Sequence, residues 1–301
     1  MSMTMEGRMA GETPGAGART RVAGITFFSA GIAAAFSEHL ARLYDLAMDS
    51  ELYSHITLIP FLTAYLLYLK RKEVLSAAAY GPMYGVPVLL AGAAIFIAGR
   101  SVFTDGGSFH LAAMVLSAVV FWIGGFVTVF GGPAARAALF PLLFLLFAVP
   151  VPEAALDPLI KFLQRGSAEA AWFFLSASGS PVEREGLFFH LPGLTVEVAR
   201  ECSGIRSSLV LFIAGVTASN MFLKTWPGRL AFVAAVFPIA VVKNGIRITV
   251  LTLAGYHIDE RMLYGTLHTR GGIPFFLLAL LMAGVVLWAI MKLEKKAARG
   301  G

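Results

Sequence analysis

The sequence predicts an all-α polytopic membrane protein of about eight transmembrane helices, with an interfacial helix and a small outer-face hairpin before the sixth. Three observations carry that expectation. Of the 301 residues, 57% are hydrophobic and only 14% are charged, where a soluble domain carries about 25% charged residues. Mean hydropathy is +0.76. Several apolar runs approach or exceed the roughly 18 residues that cross a bilayer. The basic residues, finally, sit in the short gaps between those runs, as membrane topology requires.

Taken in order, the runs fall at 22–41, 53–69, 84–99, 109–130, 135–151, 203–223, 230–255 and 273–291. The first 21 residues are rich in Gly, Thr and Arg and lack an apolar signal-peptide core. Residues 1–21 therefore read as a disordered cytoplasmic tail, 22–295 as a single transmembrane domain and 296–301 as a second tail. The stretch 158–178 is mixed, with Lys161, Arg165 and Glu169 inside it. It reads as an interfacial or re-entrant helix. Around Pro192-Gly193, strand-forming residues suggest a hairpin within 179–201.

Orientation follows from lysine and arginine placement. With eight spans, Arg19 and Arg21, Lys70 to Lys72, Arg136, Lys224 and Arg229, and Lys292 to Arg299 all fall on one side. Both termini are then cytoplasmic. The outer side holds Asp45, Asp49, Glu51, Asp105, Glu153 and Asp157. Counting 158–178 as a ninth span would put the later basic clusters outside, so parity favours eight.

Several classes are excluded or lose support. The net charge of +6 is explained by topology rather than by nucleic acid. A single cysteine rules out an intramolecular disulfide and multi-cysteine metal sites. No internal repeat supports an inverted-repeat transporter. No GxSG or HExxH occurs, which argues against rhomboid-type serine and zinc intramembrane proteases.

That lone cysteine, Cys202, falls at the outer start of the sixth run, with Arg206 expected one turn further in on the same face. The seventh run carries Lys243, Asn244 and Arg247, spaced to form one stripe. Arg247 lies roughly 12 Å below the outer helix end at 1.5 Å per residue. A charge at that depth is costly and marks a functional position. The loop 256–272 brings His257, His268 and Arg270 to the outer surface, and His55 joins them from the second run. Each residue also has a plain structural role open to it. A cysteine can be a small buried hydrophobe, and Arg206 and Arg270 can be snorkelling anchors.

The stretches ECSGIRSS (201–208), NGIRITVL (244–251) and HTRGG (268–272) resemble, in order and spacing, the signatures of the exosortase/archaeosortase family. YSHITLIPFL (53–62) and FAVPVPEAALDPL (147–159) resemble its early and mid-chain motifs, so the similarity spans roughly residues 25–295. The resemblance implies an integral-membrane thiol protease or transpeptidase, a convergent analogue of sortase. Its substrates would be exported proteins ending in a PEP-CTERM-like signal: a short motif, a transmembrane helix and a basic cluster. The family's catalytic residues fall on Cys202, Arg247 and His268, and a histidine at 268 points to the bacterial branch. Arg206, Asn244, His55 and Arg270 are substrate-binding or supporting candidates. No metal and no cofactor is called for. The resemblance places the chain in the bacterial inner membrane with its active site on the outer, periplasmic face. The rival readings are a membrane acyl- or glycan-transferase working at the same face, and a transporter with Lys243 and Arg247 lining its path.

Overall fold

Glycines at 85, 92 and 99 are spaced by two helical turns, so they share one face of any helix that contains them. The computed structural model describes residues 16–259 and 272–300. In it that helix is α5 (Pro82–Val102), and its glycine face is buried against α6 (Ser108–Ala137). A Cβ on Gly85 would lie 1.9 Å from Thr128 Oγ1, and one on Gly99 2.5 Å from Met114 Cε. In lipid there is no hydrophobic drive between helices, so close backbone approach through small residues does the holding.

Partway along, α6 breaks. Gly131 takes a φ of 84° just ahead of Pro133, where a Cβ would lie 2.2 Å from the Ala79 carbonyl oxygen. Pro133 has no N–H to offer the Val129 carbonyl. Arg21 Nη1 donates to Val129 O at 2.5 Å instead. Ala79 N–H donates to Phe130 O at 2.9 Å and Gly81 N–H to Thr128 O at 3.2 Å. Each carbonyl freed at the kink is thereby taken up from within the protein, as a lipid setting requires.

Arg21 belongs to α1 (Ala16–Ala35), which starts earlier than the apolar run at 22 and ends before that run does. An 80° bend leads into α2 (Ser37–Asp49). With α3 (Ile59–Leu69), α4 (Arg71–Ser76) and α7 (Leu139–Phe144), these helices form one compact unit of the chain, comprising residues up to Asp49 together with Ile56–Pro150.

The other unit combines Ser50–His55 with the chain from Val151 onward. Its first helix, α8 (Glu153–Ala177), explains the mixed composition of 158–178. Leu156, Ile160, Leu163, Ser167, Ala168, Ala171 and Leu175 form the buried face. Lys161, Arg165 and Glu169, each four apart, form an exposed stripe. Strands β1 (Glu183–Glu185), β2 (Phe188–Leu191) and β3 (Leu194–Glu197) follow as an antiparallel sheet in sequence order. The expected hairpin is thus extended by a third strand. Phe189, Leu191, Leu194 and Val198 pack with Ala168, Ala171, Ile248 and Leu251, seating the sheet on α8 and α10 (Trp226–His257).

Helices α9 (Ile205–Phe222), α10 and α11 (Gly272–Gly300) complete this unit around Leu211, Phe232, Val236, Ile239 and Ala279. The α9–α10 turn is fixed from α11, where the Glu294 carboxylate accepts the N–H groups of Lys224 (3.1 Å) and Thr225 (3.0 Å).

Among the described residues, five helices are long and apolar enough to cross a membrane, or seven if each bent pair counts as one crossing. This differs from the expected eight at three runs, the first of which, 22–41, breaks between α1 and α2. The run at 53–69 forms a helix, Ser54–Leu69, shorter than a full span. The run at 135–151 stays helical only to Ala148, and α8 starts afresh at Glu153. Proline at 150 and 152 cannot continue a helix and sets that break.

The glycine seam yields a direct test. Gly85→Ala puts its methyl against the backbone of Thr128, with 2.7 Å to the nitrogen. It is expected to cost about 2 kcal/mol as overpacking, read as a lowered thermal midpoint in detergent. Gly24→Ala, with nothing within 4 Å of the new Cβ, should leave the midpoint unchanged.

Candidate active site

Between β3 and α9 the chain makes a short 3-10 turn, Arg200–Ser203, which carries the backbone of Cys202. Cys202 is therefore not on the sixth helix, which starts only at Ile205. The physical reason is Gly204. It adopts a left-handed conformation (φ 72°, ψ 15°) that costs an L-residue with a side chain about 1–2 kcal/mol, and it separates the turn from α9. Its carbonyl then accepts from Ser208 N–H (2.9 Å), Ser208 Oγ (2.8 Å) and Ser207 Oγ (3.0 Å). This concentrates the polar contacts of the first turn of α9 at one point.

Gly204 has a second reason to lack a side chain. A Cβ there would lie 2.9 Å from Cγ and Oδ1 of Asn244. Asn244 is 1% exposed, and its Nδ2 donates to Ser167 Oγ on α8 at 3.0 Å. One helix position before it, Lys243 is also buried, and its Nζ donates to Ser207 Oγ at 2.6 Å. The Lys243–Asn244 pair thus joins α10 to the start of α9 and to α8, with Asn244 packed against Gly204. Arg247 follows one turn along α10 and is half-buried.

The close approach that makes this possible is again a matter of small residues. Gly245 packs where a Cβ would lie 2.5 Å from Ala170 Cβ and 3.1 Å from Ala171 N. Thr249 Oγ1 donates to Ala171 O at 3.3 Å. The entry to the turn is fastened to α8 as well. Gln164 Nε2 donates to Val198 O at 2.6 Å. Arg200 pairs with Asp157 at 2.7 Å and with Glu153 at 3.8 Å.

Other candidate residues are placed differently. Arg206 does not share a helix face with Cys202. It turns outward to Glu51 at 2.6 Å, with its side chain 52% exposed. The expectation of a shared face assumed a continuous helix, and Gly204 interrupts it. His55 is half-buried and donates from Nδ1 to Leu52 O at 3.1 Å. Its neighbour Tyr53 is buried and donates from Oη to Val151 O at 2.7 Å. Burial, with the charge of Glu153 acting the same way, holds its hydroxyl above the ordinary tyrosine range. His268 and Arg270 lie outside the described residues, as does most of the loop that carries them. Among the described residues no group of three or more His, Cys, Asp or Glu side chains could hold a metal ion.

Sequence reasoning missed Arg200, Asp157, Gln164, Ser167 and Ser207. Asp157 does stand in the Pro-rich stretch already singled out, and Arg200 is two residues from Cys202, but neither announces its partner. The fold and this turn together describe an all-α integral membrane protein with one thiol-bearing turn braced by two helices. The chain matches the family described as transmembrane exosortase (Exosortase_EpsH) over residues 46–285 and belongs to that family. It is accordingly a membrane protein-sorting enzyme from a protease and transpeptidase family. Comparisons with curated proteins and with solved structures found no match.

The two braces differ in strength, and thiol labelling can rank them. The Arg200–Asp157 pair is partly exposed, so Arg200→Ala should loosen the turn by a factor of about 2–5, the range of a surface ion pair. The rate of maleimide labelling of Cys202 reads this change. The exchange Arg200→Asp with Asp157→Arg should restore the native rate. Gly204→Ala combines left-handed strain with overlap on Asn244 and should raise the rate further than Arg200→Ala.

Proposed function

We propose that the chain is a thiol protease or transpeptidase that cleaves C-terminal sorting signals of exported proteins. Its substrates end in a short PEP-CTERM-like motif, a transmembrane helix and a basic cluster. The observation that carries the reading is the turn at 200–204. Within a chain of the exosortase family, the only cysteine stands on a short 3-10 turn between a small sheet and an apolar helix.

The chemistry follows from the residue types. The Cys202 thiolate attacks the scissile carbonyl carbon, and the C–N bond breaks to leave a thioester on Cys202 and the amine of the departing tail. His268 removes the thiol proton and returns a proton to that amine. Arg247 stabilises the oxyanion; one fixed donor at such a centre contributes about 3–4 kcal/mol. Water or an acceptor amine then attacks the thioester and frees Cys202. Lys243 and Asn244 tie α10 to the first turn of α9 and to α8, through their bonds to Ser207 and Ser167.

Topology supports the same picture. If all eight apolar runs cross, the short Ser54–Leu69 helix among them, the basic clusters fall on one side with both termini cytoplasmic, and Cys202 lies at the outer face of the cytoplasmic membrane. A sorting signal presents its cleavage motif at that level, just outside its own helix.

A co-expressed reporter ending in such a signal tests the reading. The wild-type chain should trim it, while Cys202→Ala and Cys202→Ser chains, equally abundant, should accumulate it at full length. Trimming by both variants would remove the thiol from the mechanism. Arg247→Ala should lower kcat by a factor of about 100 or more with little change in KM, as loss of an oxyanion donor does. A raised KM at constant kcat would instead assign Arg247 to an acidic side chain of the substrate.

A further inference from the structure

The sheet that precedes the nucleophile turn has an open edge. In the order β1–β2–β3, strand β3 is paired on one side only. The register pairs Leu191 with Leu194, His190 with Thr195, Phe189 with Val196 and Phe188 with Glu197. Val198 N–H donates to Leu187 O at 2.9 Å, so the 187–198 pair is a hydrogen-bonded one. Antiparallel pairs alternate between bonded and non-bonded, which makes 196 and 194 face β2 as well. The backbone N–H and C=O of Thr195 and Glu197 therefore point away from β2, along the free edge. Both residues are exposed, and among the described residues no backbone group outside the sheet bonds to theirs.

An unpaired edge of this kind is a template for another strand, and extended peptides are commonly bound by strand addition. Here the edge leads straight into the Arg200–Ser203 turn. The other side of β3 is anchored, since Leu194 and Val198 are in the core on α8 and α10 and Val198 O is held by Gln164. The edge is thus anchored, exposed and continuous with the turn whose backbone includes Cys202.

We propose that the edge of β3 receives the extended segment of the substrate as a fourth, parallel strand. This rests on the protease reading above, and it adds how that substrate is held. Direction follows from order. β3 runs into the nucleophile turn, and the chain then enters apolar α9. A sorting signal runs from exported domain to cleavage motif to transmembrane helix. Only parallel alignment brings motif to turn and helix alongside α9. Backbone bonding at Thr195 and Glu197 also accepts many side chains, leaving sequence preference to the residues nearer Cys202.

Disulfide trapping in the full-length chain in membranes tests this. In a Cys202→Ala background, Thr195→Cys and Glu197→Cys are each paired with reporters carrying single cysteines through the segment before the motif. Strands about 4.8 Å apart lie within the usual Cα separation of a disulfide. Thr195→Cys should bridge one reporter position, and Glu197→Cys the position two residues further toward the reporter's helix, with the intervening position silent. Glu183→Cys on β1, at the far side of the sheet, should bridge none. Equal bridging at all positions, no bridging, or the reverse order would overturn the proposal. In an otherwise native chain, Thr195→Pro removes only an outward N–H, and should slow trimming on the order of tenfold for one lost hydrogen bond. Should Cys202→Ala still trim the reporter, the thiol mechanism fails; should it not trim and the bridging pattern be absent, only strand addition fails.

Discussion

The near-contact of α8 and α10 is the constraint on which the rest of the cysteine-bearing unit depends. It exists because Gly245 has no side chain to set against Ala170 and Ala171. That approach places Asn244 where Ser167 can accept from it, and the same asparagine then fills the space left by the missing side chain of Gly204. From Gly204 the chain can only turn back as a 3-10 segment on one side and start α9 on the other. A larger residue at 245 would separate the helices, and the turn would lose its floor.

Polar satisfaction decides the remaining details, because lipid offers no substitute partner. At the α6 kink, three carbonyls are taken up by Arg21, Ala79 and Gly81. In α10, a lysine that is 2% exposed is tolerable because Ser207 accepts from it. At the turn Arg200 is tied to Asp157, and at the start of α9 Ser208 donates to the Gly204 carbonyl. Were Cys202 the nucleophile proposed above, a turn held in this way would keep its approach to a bound carbonyl, which is where much of the rate of such reactions originates.

Much of this was legible in the sequence. The apolar runs and their basic gaps show the all-α membrane class, and the strand-forming residues around Pro192-Gly193 announce the sheet. The stripe of Lys243, Asn244 and Arg247 is readable from spacing alone. What was not legible depends on long-range packing. Gly204 looks like an ordinary residue within an apolar-polar run, and only its left-handed conformation separates Cys202 from α9 and turns Arg206 toward Glu51. The helix break between Ala148 and Glu153 was hidden because hydropathy does not distinguish a continuous helix from a broken one. Ion-pair partners such as Arg200 and Asp157, far apart in sequence, carry no local signal at all.

The central claim is that the thiol on this turn bonds covalently to the substrate. The most direct measurement is mass spectrometry of the purified chain after brief exposure to the reporter, quenched in acid. The account predicts a thioester of the reporter's N-terminal fragment on the peptide containing Cys202, released by hydroxylamine. A reporter that is trimmed while Cys202 stays unmodified at every quench time, in a chain that turns over, would contradict it.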